Sequence, residues 1–181
     1  MRSFLVFIWE ITKIVIIALL IVVPIRTFLF QPFFVRGESM TPAFENGDYL
    51  IIDEISYRFQ DPQRGEVIVF KYPNDPSQRY IKRIIGLPGE TVEIKDGIVA
   101  ISNQKEPYVL DESDYLPSDI FTPGEILISL AEDEYFVLGD NRRASADSRR
   151  WGSLARQNII GRVLLRAWPF TAFAKIEAPG Y

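Results

Sequence analysis

The stretch Thr91-Val92-Glu93-Ile94-Lys95-Asp96-Gly97-Ile98-Val99-Ala100-Ile101 reads as two strands folded about a two-residue turn. Asp-Gly suits a type I′ turn, whose twist matches that of the strands it joins. Working upstream, Arg79 to Ile85 is a strand stopped by Gly86-Leu87-Pro88-Gly89. Before it, Gly65 opens Glu66 to Lys71, and Tyr72-Pro73-Asn74-Asp75-Pro76 closes that run. Asp48 to Asp53 is entered from the turn Glu45-Asn46-Gly47. Downstream, Glu134 to Leu138 and Asn158 to Trp168 supply two more strands. Short strands at close spacing predict a mainly β, antiparallel body. Residues 102–125 break the pattern: this acidic segment, with Pro107, Pro117 and Pro123, is expected to be an irregular surface excursion.

Composition narrows the chemistry. The 181 residues suffice for one domain, or a domain with a tail. A net charge of −4 gives no basic footprint, so no nucleic-acid partner is expected. The chain holds no Cys and no His. That excludes disulfides, thiol nucleophiles and a Ser-His-Asp triad, and the commonest zinc sites with them. Neither a metal nor a cofactor is expected. A hydrolase built on a serine would need another base, and lysine is the main candidate.

The N-terminal segment, residues 1–30, differs from the rest. Between Lys13 and Arg26 runs the uncharged stretch Ile14 to Ile25. Those roughly twelve residues would span only about 18 Å as a helix. A hydrocarbon core of about 30 Å needs about 20 residues, so a single transmembrane helix must reach back to about Phe4. Pro24 marks its end or a kink. A cleavable signal peptide is the rival reading, but bulky Arg26-Thr27-Phe28-Leu29-Phe30 offers no small-x-small cleavage site. Arg2 and Arg26 flank the span evenly and leave its orientation open.

Residues 31–181 then form the β-rich domain, and three of its stretches carry polar chemistry. Gly37-Glu38-Ser39-Met40-Thr41-Pro42 is a short turn with one serine. In Arg79-Tyr80-Ile81-Lys82-Arg83-Ile84-Ile85, strand alternation sets Tyr80, Lys82 and Ile84 on one face and Arg83 on the other. If the first face is buried, desolvation lowers the lysine pKa, and a neutral amine can accept a serine proton. Taken alone, this stretch makes Lys82 an ordinary edge-strand lysine with its tip in water. The third stretch runs from Gly139-Asp140-Asn141 through Ser145, Asp147 and Arg149 to Trp151-Gly152. Ser145 could orient an amine, and an Asp147–Arg149 pair could fix the loop. Alone, it is also an ordinary solvated loop.

In this order, behind an anchor, the three stretches resemble the signature boxes of type I signal peptidases, the leader peptidase family. The pattern is GxSMxP, YIKRxxGLPGE and GDNRxxSxDSRxWG, and Arg64 to Phe70 also looks like a strand of that family. The resemblance implies Ser39 as nucleophile and Lys82 as general base. It further implies that Ser145 orients the amine and that Asp147 and Arg149 support the site. Some family members carry a Ser or Thr two residues before the nucleophile. Here Gly37 stands there and offers no side-chain donor, so the Ser39 N–H would be the main oxyanion donor.

The implied enzyme is a monomeric, single-pass membrane serine endopeptidase. It would cleave signal-peptide-bearing preproteins through an acyl-enzyme, with its catalytic domain on the extracytoplasmic side of the cell membrane. In a photosynthetic source the thylakoid membrane is a further location. Substrate would bind extended beside 33–37 and 79–82, in shallow pockets lined by Phe33, Val35, Met40, Phe44, Tyr80 and Ile81. Two alternatives keep the same residues: a self-processing Ser-Lys peptidase, and an inactive membrane-tethered peptide-binding domain.

Overall fold

Asp96 and Gly97 both adopt positive φ, 51° and 83°, as a type I′ turn requires. A computed structural model describes residues 2–24, 30–103, 106–117 and 120–180. The strands joined by that turn, β5 (Thr91–Lys95) and β6 (Ile98–Ser102), pair in register from Thr91–Ser102 to Lys95–Ile98. They form the middle of a small sheet ordered β7-β6-β5-β8, where β7 is Tyr108–Val109 and β8 is Ile126–Ser129. Its buried side chains Val92, Ile94, Val99 and Ile101 pack with Ile85, Phe136 and Leu138 of the larger sheet.

The larger sheet is built from β1 (Phe30–Phe34), β2 (Tyr49–Asp53), β3 (Val67–Tyr72), β4 (Asp75–Gly86) and β9 (Glu134–Leu138). Shorter β10 (Leu154–Ala155), the long β11 (Ile159–Trp168) and β12 (Ala174–Lys175) complete it. The order is β1-β2-β11-β3-β4-β9-β10, with β12 also on β11. Every pairing described is antiparallel, as the sequence predicted. β3 is buried on both faces: Val67 and Val69 enter one apolar cluster, Ile68 and Phe70 another. Such a strand reads as a continuous apolar run, which is what residues 67–70 are.

The 102–125 excursion is less loose than its composition suggests. It contributes β7 to the small sheet, and its Leu110, Leu116 and Thr122 are buried.

At the N-terminus, α1 covers Arg2–Pro24, and Phe4, Phe7, Trp9, Ile14, Ile17 and Leu20 are exposed around it. Among the described residues, no helix is long and apolar enough to cross a membrane. Several side chains of α1 lie outside the described set, as do residues 25–29.

Candidate active site

Beyond β1 the chain turns sharply through residues 35–44, and the turn is anchored from below. Met40 and Phe44 are fully buried, sharing an apolar cluster with Val35, Leu50 and Ile81. Gly37, at φ 87°, supplies the left-handed backbone. Its N–H donates to Asn46 Oδ1 at 2.9 Å, and the Val35 N–H donates to Asp48 O at 2.9 Å. Between these anchors Ser39 faces a cleft.

Lys82 approaches from β4. Its Nζ donates to Ser39 Oγ at 2.8 Å and to the Ile81 carbonyl at 2.7 Å. The residue is 3% exposed, and no carboxylate among the described residues forms an ion pair with it. Burial pushes its pKa down to about 8, against the pull of the Asp147 and Asp140 charges. An amine at that value has a useful neutral fraction near neutral pH and lies within hydrogen-bond reach of a hydroxyl. Such a pair can activate the serine oxygen for attack on a carbonyl. Among the described residues, the Ser39 N–H donates to no protein acceptor and is available to an oxyanion.

The third stretch backs both groups. Arg83 points away from the cleft, as alternation requires, into a buried bidentate pair with Asp140 at 2.9 and 2.6 Å. Asp147 accepts from Arg149 at 2.8 and 2.7 Å and from the Gly139 N–H at 3.1 Å. Burial alone would raise its pKa, but Arg149, Gly139 and, more weakly, the Ser145 hydroxyl hold it below the usual carboxylate value. Asp147 also caps the short helix α2 (Ser148–Trp151). Ser145 is buried at the site, yet its Oγ makes no hydrogen bond of normal geometry. The lysine amine is instead held by Ile81 O and Ser39 Oγ.

Two residues of this stretch escaped the sequence reading because neither carries acid, base or nucleophile. Gly139 lies so close that a Cβ there would overlap the Ser39 carbonyl and the Ser145 side chain. Asn141 clamps the serine turn, its N–H donating to Ser39 O at 3.1 Å and its Nδ2 to Glu38 O at 3.0 Å. The available signal was their fixed place directly after β9, at the mouth of a polar loop.

The cleft holds about 600 Å³. One wall is Pro32, Phe33, Phe34 and Arg36; the other is Gln78 to Lys82, with Ala146 near the serine. β1 ends the sheet, and β9 covers β4 only along residues 83–86. Two strand edges therefore face one another across the cleft, a slot that an extended peptide can join. Of the expected pocket residues, Phe33, Tyr80 and Ile81 line it. Val35, Met40 and Phe44 do not: their apolar side chains are buried in the core beneath the serine turn.

The family model described as "Signal peptidase, peptidase S26" matches residues 8–168. The chain belongs to that family. Family membership makes it a serine endopeptidase. It is 37% identical to a probable signal peptidase I-1 of Synechocystis sp. over 94% of this chain and 87% of that protein. It is 39% identical to a signal peptidase I of Leptolyngbya laminosa, over 92% and 83% respectively. A probable thylakoidal processing peptidase of Arabidopsis thaliana is 36% identical over 80% of this chain and 40% of its own.

Proposed function

We propose that this signal peptidase family member is a membrane-anchored signal peptidase I that frees exported proteins from their signal peptides through a Ser39–Lys82 dyad. The observation that carries the reading is the 2.8 Å Lys82 Nζ to Ser39 Oγ hydrogen bond in a buried site, in a chain without histidine. Neutral Lys82 takes the Ser39 proton as Oγ attacks the scissile carbonyl. The Ser39 N–H stabilises the oxyanion, and Gly37 adds no side-chain donor. The Lys82 ammonium then protonates the leaving amine, leaving an ester on Ser39. Water, deprotonated by Lys82, hydrolyses the ester and restores both groups.

Substrate lies between the free edges of β1 and β4. Residues one and three before the cut face the same way in an extended chain. Phe33, Tyr80 and Ile81 would crowd them, which favours small side chains at both positions.

Residues 31–181 are the catalytic domain, working as a monomer outside the cytoplasm. α1 is the single-pass anchor: the apolar side chains described on it, among them Phe4, Phe7, Trp9, Ile14, Ile17 and Leu20, are exposed, which suits lipid. An aromatic shelf supports the same arrangement. Phe34 packs edge-on against Tyr49 at 4.9 Å, Tyr49 pairs with Trp168, and Trp168 packs against Phe170 at 4.8 Å. Trp168 and Phe170 are exposed, and the amphipathic Trp168 ring favours the headgroup level. The bilayer is the cell membrane, or the thylakoid membrane in a photosynthetic source.

The test is incubation of the purified full chain with a preprotein, mapping the cut by mass spectrometry. A single cut after a small-x-small sequence is expected. No cut, or one unrelated to the signal peptide, overturns the reading. An intact mass for the purified enzyme argues against self-processing.

A further inference from the structure

Glu112 sits in the 102–125 excursion, far along the chain from Ser39, yet its carboxylate is part of the structure behind the serine. Its two oxygens accept from Arg142 at 2.7 and 2.5 Å. Arg142 is 2% exposed and Glu112 is partly buried, so this is a bidentate ion pair largely shielded from water. The same guanidinium donates to Thr122 Oγ1 at 2.6 Å, also in the excursion, and to the Gly139 carbonyl at 3.2 Å. Gly139 in turn is packed against the Ser39 carbonyl, and Asn141 bonds the backbone of Glu38 and Ser39.

Two further contacts tie the excursion to the same loop. Tyr115 donates to Glu112 Oε1 at 2.5 Å, and the Arg83 guanidinium lies 4.0 Å from the Tyr115 ring centroid. Arg149, which holds Asp147, donates to the Pro123 carbonyl at 3.2 Å. Segment 112–123 is therefore fastened to Arg83, Arg142 and Arg149. Their charges are matched by Asp140, Asp147 and Glu112, each buried or partly so.

We infer that the excursion is a strap that positions the nucleophile turn, and that Glu112, acting through Arg142, is its positioning residue. This deepens the Ser39–Lys82 reading and rests on it for its kinetic consequence alone. Removing the Glu112 charge leaves Arg142 buried without its counterion. The guanidinium must then turn toward other acceptors or water and release the Gly139 carbonyl. Small displacements of a catalytic group carry large rate costs.

The test is Glu112→Gln in the full-length chain, with two readouts. The first needs no activity: amide hydrogen exchange over residues 37–41 and 139–145 speeds up several-fold, while that of β5 and β6 stays unchanged. Unchanged exchange over 37–41 overturns the inference, whether or not the wild-type chain cleaves a preprotein. The second is kinetic: kcat falls about tenfold with KM held within about twofold. A lower melting temperature with kcat intact well below it shows mere scaffolding and overturns the inference too. Thr122→Val loosens the same guanidinium more gently. It is expected to raise exchange over 37–41 by a smaller factor, and it serves should Glu112→Gln fail to fold. Combining Glu112→Gln with Arg142→Lys gives no greater loss than the worse single change, because the pair acts as a unit. Multiplying losses overturn it.

Discussion

Lys82 and Arg83 are adjacent on β4 and almost equally buried, yet only Arg83 has a carboxylate to itself. The bidentate bond from Asp140 belongs to Arg83, whereas Lys82 meets a hydroxyl and a carbonyl. A buried cation without a counterion favours its neutral form. Because Asp140 is engaged by Arg83, Lys82 has no counterion of its own among the described residues, and its neutral form is favoured.

Replacing either member of the dyad tests this division of labour. Ser39→Ala and Lys82→Ala are each expected to lower preprotein cleavage by on the order of 10³-fold or more, with circular dichroism unchanged. Lys82→Arg fails equally, because a guanidinium stays protonated at any working pH. Activity in the Lys82→Arg variant removes lysine as the base.

The rate should follow the neutral amine. kcat/KM is expected to rise with pH and level off above about 8, the value to which burial lowers Lys82. Stability carries the opposite mark of the same shift. The folded pKa of about 8 lies below the reference 10.5, so folding disfavours the proton that the unfolded chain keeps. The cost is full below pH 8 and fades as pH climbs to about 10.5. It amounts to about 3 kcal/mol by the shift. Lys82→Met is therefore expected to be inactive but about 1–3 kcal/mol more stable at pH 7. Denaturant titrations of both proteins at pH 7 and 10.5 check it: the difference must shrink at the higher pH.

Asp147→Asn should act on both fronts. It leaves Arg149 buried with a weakened partner, at a cost of about 3 kcal/mol. It also removes the carboxylate that acts more strongly on Lys82, Asp147 ahead of Asp140. The acid limb of the pH–rate profile then moves to lower pH while the melting temperature falls. A limb that stays in place refutes the electrostatic link.

Gly139→Ala is the sharpest steric test. Its methyl would press on the Ser145 side chain and on the Ser39 carbonyl, and that carbonyl cannot shift without carrying the serine turn along. Activity is expected to drop at least about 100-fold with much smaller loss of stability. Wild-type turnover by the alanine variant refutes the tight packing.

Much of this was visible in the chain. The Asp96-Gly97 hairpin, β3, β4, β9 and β11 follow from apolar runs bounded by turn residues. β1 was harder, since Pro32 and the lack of alternation in Phe30–Phe34 hide a strand used at the sheet's end. β7, β10 and β12 have only two residues each, too few for a period to register. At the site, Ser39, Lys82, Asp147 and Arg149 were singled out through the resemblance of their three stretches to family boxes. The structure brings Lys82 to Ser39 and Arg149 to Asp147. Val35, Met40 and Phe44 were expected at the cleft surface but are core, since adjacency in sequence does not tell which side of a turn faces substrate. Gly139, Asn141 and Glu112 contribute shape and hydrogen bonds rather than reactive groups, and such roles emerge only when distant segments meet.

The sheet order ties the Ser39–Lys82 pair to a later part of the chain. Among the described strands, β2, beside the serine turn, and β3, beside the lysine strand, are hydrogen-bonded into one sheet through β11. Ser39 and Lys82 both precede β11 in the chain, and in the described sheet that strand bridges the halves carrying them. The spacing of Ser39 from Lys82 across the sheet therefore depends on a strand that follows both of them in the chain.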